Sequence, residues 1–222
     1  MNRLRILHVD DDPDIRQVVT TSLALDPAFL VRSCASGTEA LAAVAYWFPD
    51  LILCDVMMPV MNGLVTLARL RERPLTAETP VVFMTARAQS REIERFKSLG
   101  ANGVIAKPFN PMTLADAVRC HLRSAWLATA CSCFVGRMRA DAARLAECGE
   151  CLRSEATAAP ALERIRIVAH GLVGSAGIFG FTKVSCAASA LETAARDRLA
   201  GDGSPGKLEN DLKALLDCVQ VA

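Results

Sequence analysis

Leu51-Ile52-Leu53-Cys54-Asp55-Val56-Met57-Met58-Pro59-Val60-Met61-Asn62-Gly63 is the stretch on which the reading of this chain turns. Leu51 to Cys54 are uncharged and mostly apolar, and then a carboxylate appears. A short apolar run closed by turn residues reads as a strand buried on both faces. Pro59 and the Asn62-Gly63 pair mark the loop that follows. Asp55 then stands at the carboxyl end of a central parallel strand, where open α/β sheets place their reactive groups. A strand-ending Asp is also common without any chemistry, so the residues at the other strand ends decide its meaning.

Upstream, Leu4 to Val9 is a short β run that ends abruptly in Asp10-Asp11-Asp12-Pro13-Asp14. Asp12 or Asp14 suits the N-terminus of a helix over 14–25, which leaves Asp10 and Asp11 at the strand end. Phe29 to Cys34 reads as a second strand, and Ser36-Gly37 opens a helix to about Phe48. Downstream of Asp55, helical spacing runs from Gly63 to Arg73. Pro80 to Met84 is a fourth strand ending at Thr85-Ala86. Residues 89–99 form a charged amphipathic helix, and Gly103 to Ala106 is a fifth strand ending at Lys107-Pro108. Pro111 begins a fifth helix. Five strands alternating with five helices argue for a doubly wound parallel sheet. The charged and hydroxyl residues fall at the carboxyl ends of strands one, three, four and five, on one rim.

On that rim Asp10, Asp11 and Asp55 repel one another without a cation. Mg2+ is the natural occupant, because it takes oxygen ligands, keeps several waters and is commonly shared with a phosphate. The backbone carbonyl of Met57 offers a further ligand. A metal there offsets phosphate charge while a carboxylate oxygen attacks phosphorus in line. Lys107 supplies positive charge to one phosphoryl oxygen and Thr85 a hydroxyl to another. Acid pair, nucleophile, hydroxyl and lysine make a phosphoryl-acceptor site.

With these residues in place, residues 1–124 resemble the receiver domain of two-component response regulators. The resemblance is carried by Val9-Asp10-Asp11, Asp55 with Met-Met-Pro and Gly63, Thr85-Ala86, and Lys107-Pro108-Phe109. It implies a flavodoxin-like sheet, Asp55 as phosphoacceptor, Asp10 and Asp11 as Mg2+ ligands, Thr85 as switch hydroxyl, Lys107 as phosphate contact, and a cis Lys107–Pro108 bond. One position departs from the family. The aromatic that often stands three residues before the lysine is Val104 here.

The remainder, residues 125–222, reads as helices near 126–154, 160–178, 182–200 and 206–220, with breaks at Ala158-Ala159-Pro160, Phe179-Gly180 and Gly201 to Gly206. Four helices with short connections suggest an antiparallel bundle. Within it, Ile165, Val168, Leu172 and Ala176 keep an apolar spacing through Ala169-His170-Gly171-Leu172-Val173-Gly174-Ser175-Ala176-Gly177. Each interior helical glycine costs about 1 kcal/mol relative to alanine, so something should offset three of them. At helical spacing Gly174 lies one turn from His170, which leaves the imidazole on a smooth patch open to a docking protein. The alternatives are a loop whose histidine has no role, or close helix packing by small residues. His170-Gly-Leu-Val-Gly174-Ser175, with Gly180 and Ala190-Leu191-Glu192, is similar to a histidine phosphotransfer (Hpt) domain, which implies that His170 carries a phosphoryl group on a ring nitrogen. The lysine usual three residues after the histidine is Val173 here, and Arg166, one turn before His170, is the candidate to replace its charge.

Composition narrows the remaining classes. The net charge is +1 with acids and bases mixed, so no basic stripe argues for nucleic acid. The opening residues run straight into a strand pattern without a signal peptide, and no apolar run reaches the ~18 residues of a spanning helix. Nine scattered cysteines fit reduced thiols in a cytoplasmic protein. Cys131/Cys133 and Cys148/Cys151 fall in helical sequence and read as packing rather than zinc ligands. His8 reads as a core residue and His121 as solvated. No glycine-rich ATP site is present, so the chain is expected to be a phosphotransfer protein and not an ATP-dependent kinase. A covalent hydrolase is disfavoured because its second Asp would fall at Met57. The expected partners are a sensor histidine kinase or other phosphohistidine donor, and the receiver of another protein. The rival reading is a binding module, in which Asp55 phosphorylation gates an inert helical domain.

Overall fold

The computed structural model describes residues 3–86, 88–152 and 155–222, which fall into two compact units, Met1–Leu127 and Ala128–Ala222. In the first unit β1 (Leu4–Val9), β2 (Phe29–Cys34), β3 (Leu51–Asp55), β4 (Val81–Thr85) and β5 (Gly103–Ala106) form one all-parallel sheet in the order β2-β1-β3-β4-β5. The connecting helices are α1 (Pro13–Ala24), α2 (Gly37–Ala43), α3 (Gly63–Arg71) and α4 (Ser90–Ser98). Leu51, Ile52, Leu53 and Cys54 are all fully buried, as a strand covered on both faces requires. Burying each large aliphatic side chain there contributes roughly 1.5–3 kcal/mol. The chain leaves β1 for β2 on one side and returns to β3 on the other, so β1 and β3 flank the point where strand order reverses, the usual ligand crevice of such sheets.

Helix limits follow local chemistry. Asp12 caps α1 by accepting from the Asp14 and Ile15 amides, and Asn62 caps α3 through the Val65 amide. Helix α2 stops at Ala43 and a run of turns carries the chain on to Trp47, short of the expected limit at Phe48. A 3₁₀ turn, Pro111–Thr113, precedes α5 (Leu114–Cys151). The sequence, with no proline in 111–155 after Pro111 and few glycines, leads to a fifth helix running almost directly into the one near 126–154, and the two are in fact one continuous helix, since Gly136 and Gly149 alone do not break the ladder.

The second unit comprises the latter part of α5 with α6 (Glu155–Ile178), α7 (Thr182–Ala200) and α8 (Pro205–Gln220). Pro160 lies inside α6 rather than before it, correcting the expected break there. It is the sixth residue of the helix, past the first turn, so the ladder lacks one hydrogen bond there and the helix nonetheless continues. Ile165, Ala169, Leu172 and Ala176 are buried along one face of α6, against Val184, Ala188, Leu191 and Ala195 of α7. Phe134 of α5 stacks on Phe179, centroids 4.7 Å apart, and closes one end of this core. Among the described residues no helix is long and apolar enough to cross a membrane.

Candidate functional site

Strand register builds the receiver rim. Val9 pairs with Cys54, so the next residue of each strand, Asp10 and Asp55, emerges side by side. Asp55 pairs with Met84, and Thr85 with Ala106, which brings Thr85 and Lys107 to the same edge. The Lys107 ammonium sits between the two acids, 2.6 Å from Asp10 Oδ2 and 2.5 Å from Asp55 Oδ1. The second oxygen of each acid accepts a backbone amide, Asp12 for Asp10 at 3.0 Å and Met57 for Asp55 at 2.7 Å. Thr85 is buried, and its carbonyl accepts the Lys107 amide at 2.8 Å. The Lys107–Pro108 peptide is cis. Gly63 is required where it stands, because an added Cβ would collide with the Asp55 carbonyl oxygen.

Burial pushes the Asp10 carboxyl above its usual range, although Lys107 and the Asp12 amide pull the other way. Burial also opposes the Lys107 ammonium, but its bonds to Asp10 and Asp55 outweigh that and raise its pKa. The ammonium therefore already does the work of a cation between two acids.

Asp10, Asp55 and Lys107 are thus in direct contact. Asp11, next in the chain, is exposed, and Met57 is exposed beyond the strand end. Among the described residues no three acidic, imidazole or thiol groups come together as a dedicated metal cage. An all-oxygen pair of carboxylates on an open rim does fit Mg2+, which needs few protein ligands and keeps its waters. Arg16 of α1 was not legible as a site residue. Its guanidinium donates to the carbonyls of both Asp10 and Asp11 at 2.8 Å and so braces the acidic loop. The only signal was a basic residue in the first turn after the acids. Val60, exposed in the loop after Asp55, has φ 63°, and the Met61 amide reaches back to the Pro59 carbonyl at 2.6 Å. This tight turn is costly for a β-branched residue.

In the helical unit the His170 side chain is 74% exposed. An added Cβ at Gly171 or Gly174 meets nothing within 4 Å, so these glycines are not there for packing inside the unit. His170 Nδ1 lies 3.2 Å from Glu192 Oε1, and Arg196 donates to that same oxygen at 2.9 Å. A carboxylate at Nδ1 favours the tautomer with the proton on that nitrogen and leaves the Nε2 lone pair for chemistry. Val173 packs against the bundle core. Arg166 is held in a fork by Glu163, with bonds of 2.9 and 2.6 Å that raise its pKa. The guanidinium coupled to the His170–Glu192 pair by hydrogen bonding is that of Arg196, which sequence spacing from His170 alone does not reveal.

Two other expectations resolve differently. His8 is fully buried, as expected. His121 is not solvated. It is half-buried against Gly103, whose lack of a side chain makes room for the ring, and burial followed by Lys97 lowers its pKa. The cysteines are free thiols, with Cys34 and Cys54 buried in the sheet.

The receiver-domain family model, response regulator receiver domain, matches residues 6–119, and the Hpt domain model matches residues 132–221. The DNA-binding response regulator MtrA of Mycolicibacterium smegmatis is 36% identical over 121 residues, covering 54% of this chain and 51% of that protein. The transcriptional regulatory protein DltR of Streptococcus agalactiae is 33% identical over 136 residues, 61% of this chain and 59% of that one. The chain thus spans little more than half the length of these relatives. Among solved structures, the chemotaxis response regulator CheY4 of Vibrio cholerae is 33% identical with a TM-score of 0.51, covering 54% of this chain and 99% of its own.

Proposed function

The chain belongs to the response regulator receiver family, with an Hpt domain following the receiver, and from that premise we propose that it is a phosphorelay protein in which Asp55 accepts a phosphoryl group and His170 carries one. Residues 1–124 are the receiver and 125–222 the phosphotransfer domain in this reading. The observation that carries it is the Lys107 ammonium held between Asp10 and Asp55. It marks a spot where negative charge is gathered and already compensated, ready for a phosphoryl group.

The donor is a phosphohistidine on a sensor kinase or another relay protein. An Asp55 carboxylate oxygen attacks phosphorus, an O–P bond forms as the N–P bond breaks, and the electron pair returns to the donor imidazole. Lys107 turns to one phosphoryl oxygen and the Thr85 hydroxyl donates to another. Asp10, Asp11, Asp55 and the Met57 carbonyl would hold Mg2+, which when bound offsets the charge shared by carboxylate and phosphoryl oxygens. The Met57 side chain offers no base to activate water, so only slow loss of the acyl phosphate follows. On His170 the free Nε2 takes phosphorus from, or returns it to, the receiver aspartate of a partner, while Glu192 holds Nδ1. The exposed glycines beside it let the partner surface approach.

The test is to incubate the full chain with a phosphorylated histidine donor and examine the label. Alkali-labile label lost in Asp55→Ala, and acid-labile, alkali-stable label lost in His170→Ala, are the expected results. No label on either residue from any phosphohistidine donor or phosphorylated receiver would refute the reading. Label on Asp55 alone would leave the helical unit a docking module.

A further inference from the structure

His8 lies in β1 two residues before Asp10, so strand alternation points both side chains to the same face. The position is fully buried, and an aliphatic residue would fill it without polar atoms. Instead it holds an imidazole whose Nε2 is buried with no hydrogen-bond partner among the described residues. Buried polar atoms are normally paired, and one left unpaired in a core calls for a reason.

The surroundings supply one. Across the β1–β2 pair, Ser33 Oγ stands 3.4 Å from His8 Nδ1, in register with it. A hydroxyl donating to Nδ1 puts the ring proton on Nε2. That Nε2 faces Asp10 Oδ2 at 3.8 Å, just beyond bonding distance. The same oxygen is engaged at 2.6 Å by Lys107. Asp10 Oδ2 therefore has one donor in contact and a second in waiting.

We propose that His8 is a positioning residue for Asp10, its Nε2–H taking Asp10 Oδ2 when Lys107 leaves that oxygen for a phosphoryl group. The inference rests on the reading of Asp55 as a Mg2+-assisted phosphoryl acceptor. On that reading Lys107 moves outward to reach a phosphoryl oxygen carried on Asp55, and the deeply buried Asp10 Oδ2 is the acceptor it leaves behind. Without a replacement donor the Asp10 carboxylate would lose the one side-chain donor in hydrogen-bond contact with it among the described residues, and it would be held less firmly toward the cation. His8 restores that partner without adding charge. Hydrogen-bonding groups behind a metal ligand typically change metal affinity by about 10–100-fold.

The experiment measures Mg2+ dissociation constants by calorimetry on the full chain, with and without beryllofluoride as phosphoryl mimic, for wild type, His8→Phe and His8→Gln. Phe fills the site without a donor, whereas Gln carries an N–H near the Nε2 position. Expected is a roughly tenfold weaker Mg2+ affinity for His8→Phe in the beryllofluoride state, largely regained in His8→Gln. Equal affinity in wild type and His8→Phe would overturn the proposal while leaving the acceptor reading intact. Absence of Mg2+ binding in the wild type would overturn both. Should the variants fail to fold, ¹⁵N-imidazole spectra of the wild type decide. A protonated Nε2 whose resonance moves on adding Mg2+ and beryllofluoride supports the proposal, and an unprotonated Nε2 or an unmoved resonance refutes it.

Discussion

Replacing Lys107 with Met would leave the Asp10 and Asp55 carboxylates facing each other at the buried end of two adjacent strands. Removing one partner of a buried ion pair costs on the order of 3–5 kcal/mol, so Lys107→Met should lower the unfolding midpoint of the receiver unit. Added Mg2+ should restore much of the loss, because a cation replaces the missing charge. The pH dependence has a definite sign. The folded-state pKa of Lys107 is raised above its ordinary value of 10.5. Its contribution is therefore complete below that value and lost as pH rises through the raised one. Thermal scans on the alkaline side should show a fall in wild type that is absent in Lys107→Met. At the other site, Glu192→Ala frees His170 Nδ1 and should slow phosphoryl transfer through His170 by about tenfold, on the order of 1.4 kcal/mol. Glu192→Gln keeps an acceptor and should lose less. Single-turnover transfer rates, together with the imidazole tautomer seen by NMR, separate this positioning role from a purely structural one.

At the scale of the element, α6 combines a buried apolar face with Gly171 and Gly174, whose Cβ positions no atom of the described residues approaches within 4 Å. Helix propensity alone favours replacing Gly174, since alanine is better by about 1 kcal/mol and meets no neighbouring atom. Gly174→Ala should therefore raise the unfolding midpoint of the helical unit while slowing transfer between His170 and a partner receiver. A variant that is more stable and equally fast would show that the smooth patch has no docking role. The same logic separates α6 from β3, where no residue from Leu51 to Cys54 departs from what burial wants. In β3 only the terminal Asp55 departs from what burial alone would select.

For the whole molecule, each unit has its own hydrophobic core, the receiver one on each face of the sheet and the bundle a third. Separate cores predict two calorimetric transitions. On the proposed function Mg2+ binds the folded receiver and not the unfolded chain, so at 100 times its dissociation constant it should stabilise that unit by about 2.7 kcal/mol. The second transition should not move. A shift of both by the same amount would mean that α5, which contributes residues to both units, melts as one piece.

Much of this was legible from residue order alone. Alternating strand and helix patterns determined the sheet, because a parallel strand covered on both faces must be a continuous apolar run closed by turn residues. The acidic rim was legible for the same reason, as polar groups at strand ends recur on one edge whatever the loops between them do. The place of His8 inside the β1 run likewise marked it as a core or near-core residue, and it is fully buried. What one-dimensional spacing leaves undecided is which polar atoms meet across elements. The brace of Arg16 on the Asp10 and Asp11 carbonyls, the Arg196–Glu192–His170 chain, the burial of His121 over Gly103 and the unpaired Nε2 of His8 all depend on side chains from separate segments meeting within about 4 Å. Helix limits show the same division, since Pro160 was read by its local habit as a break and the helix nonetheless passed through it. Periodicity reports which face is buried, whereas only the packed chain decides which donor lies nearest to which acceptor.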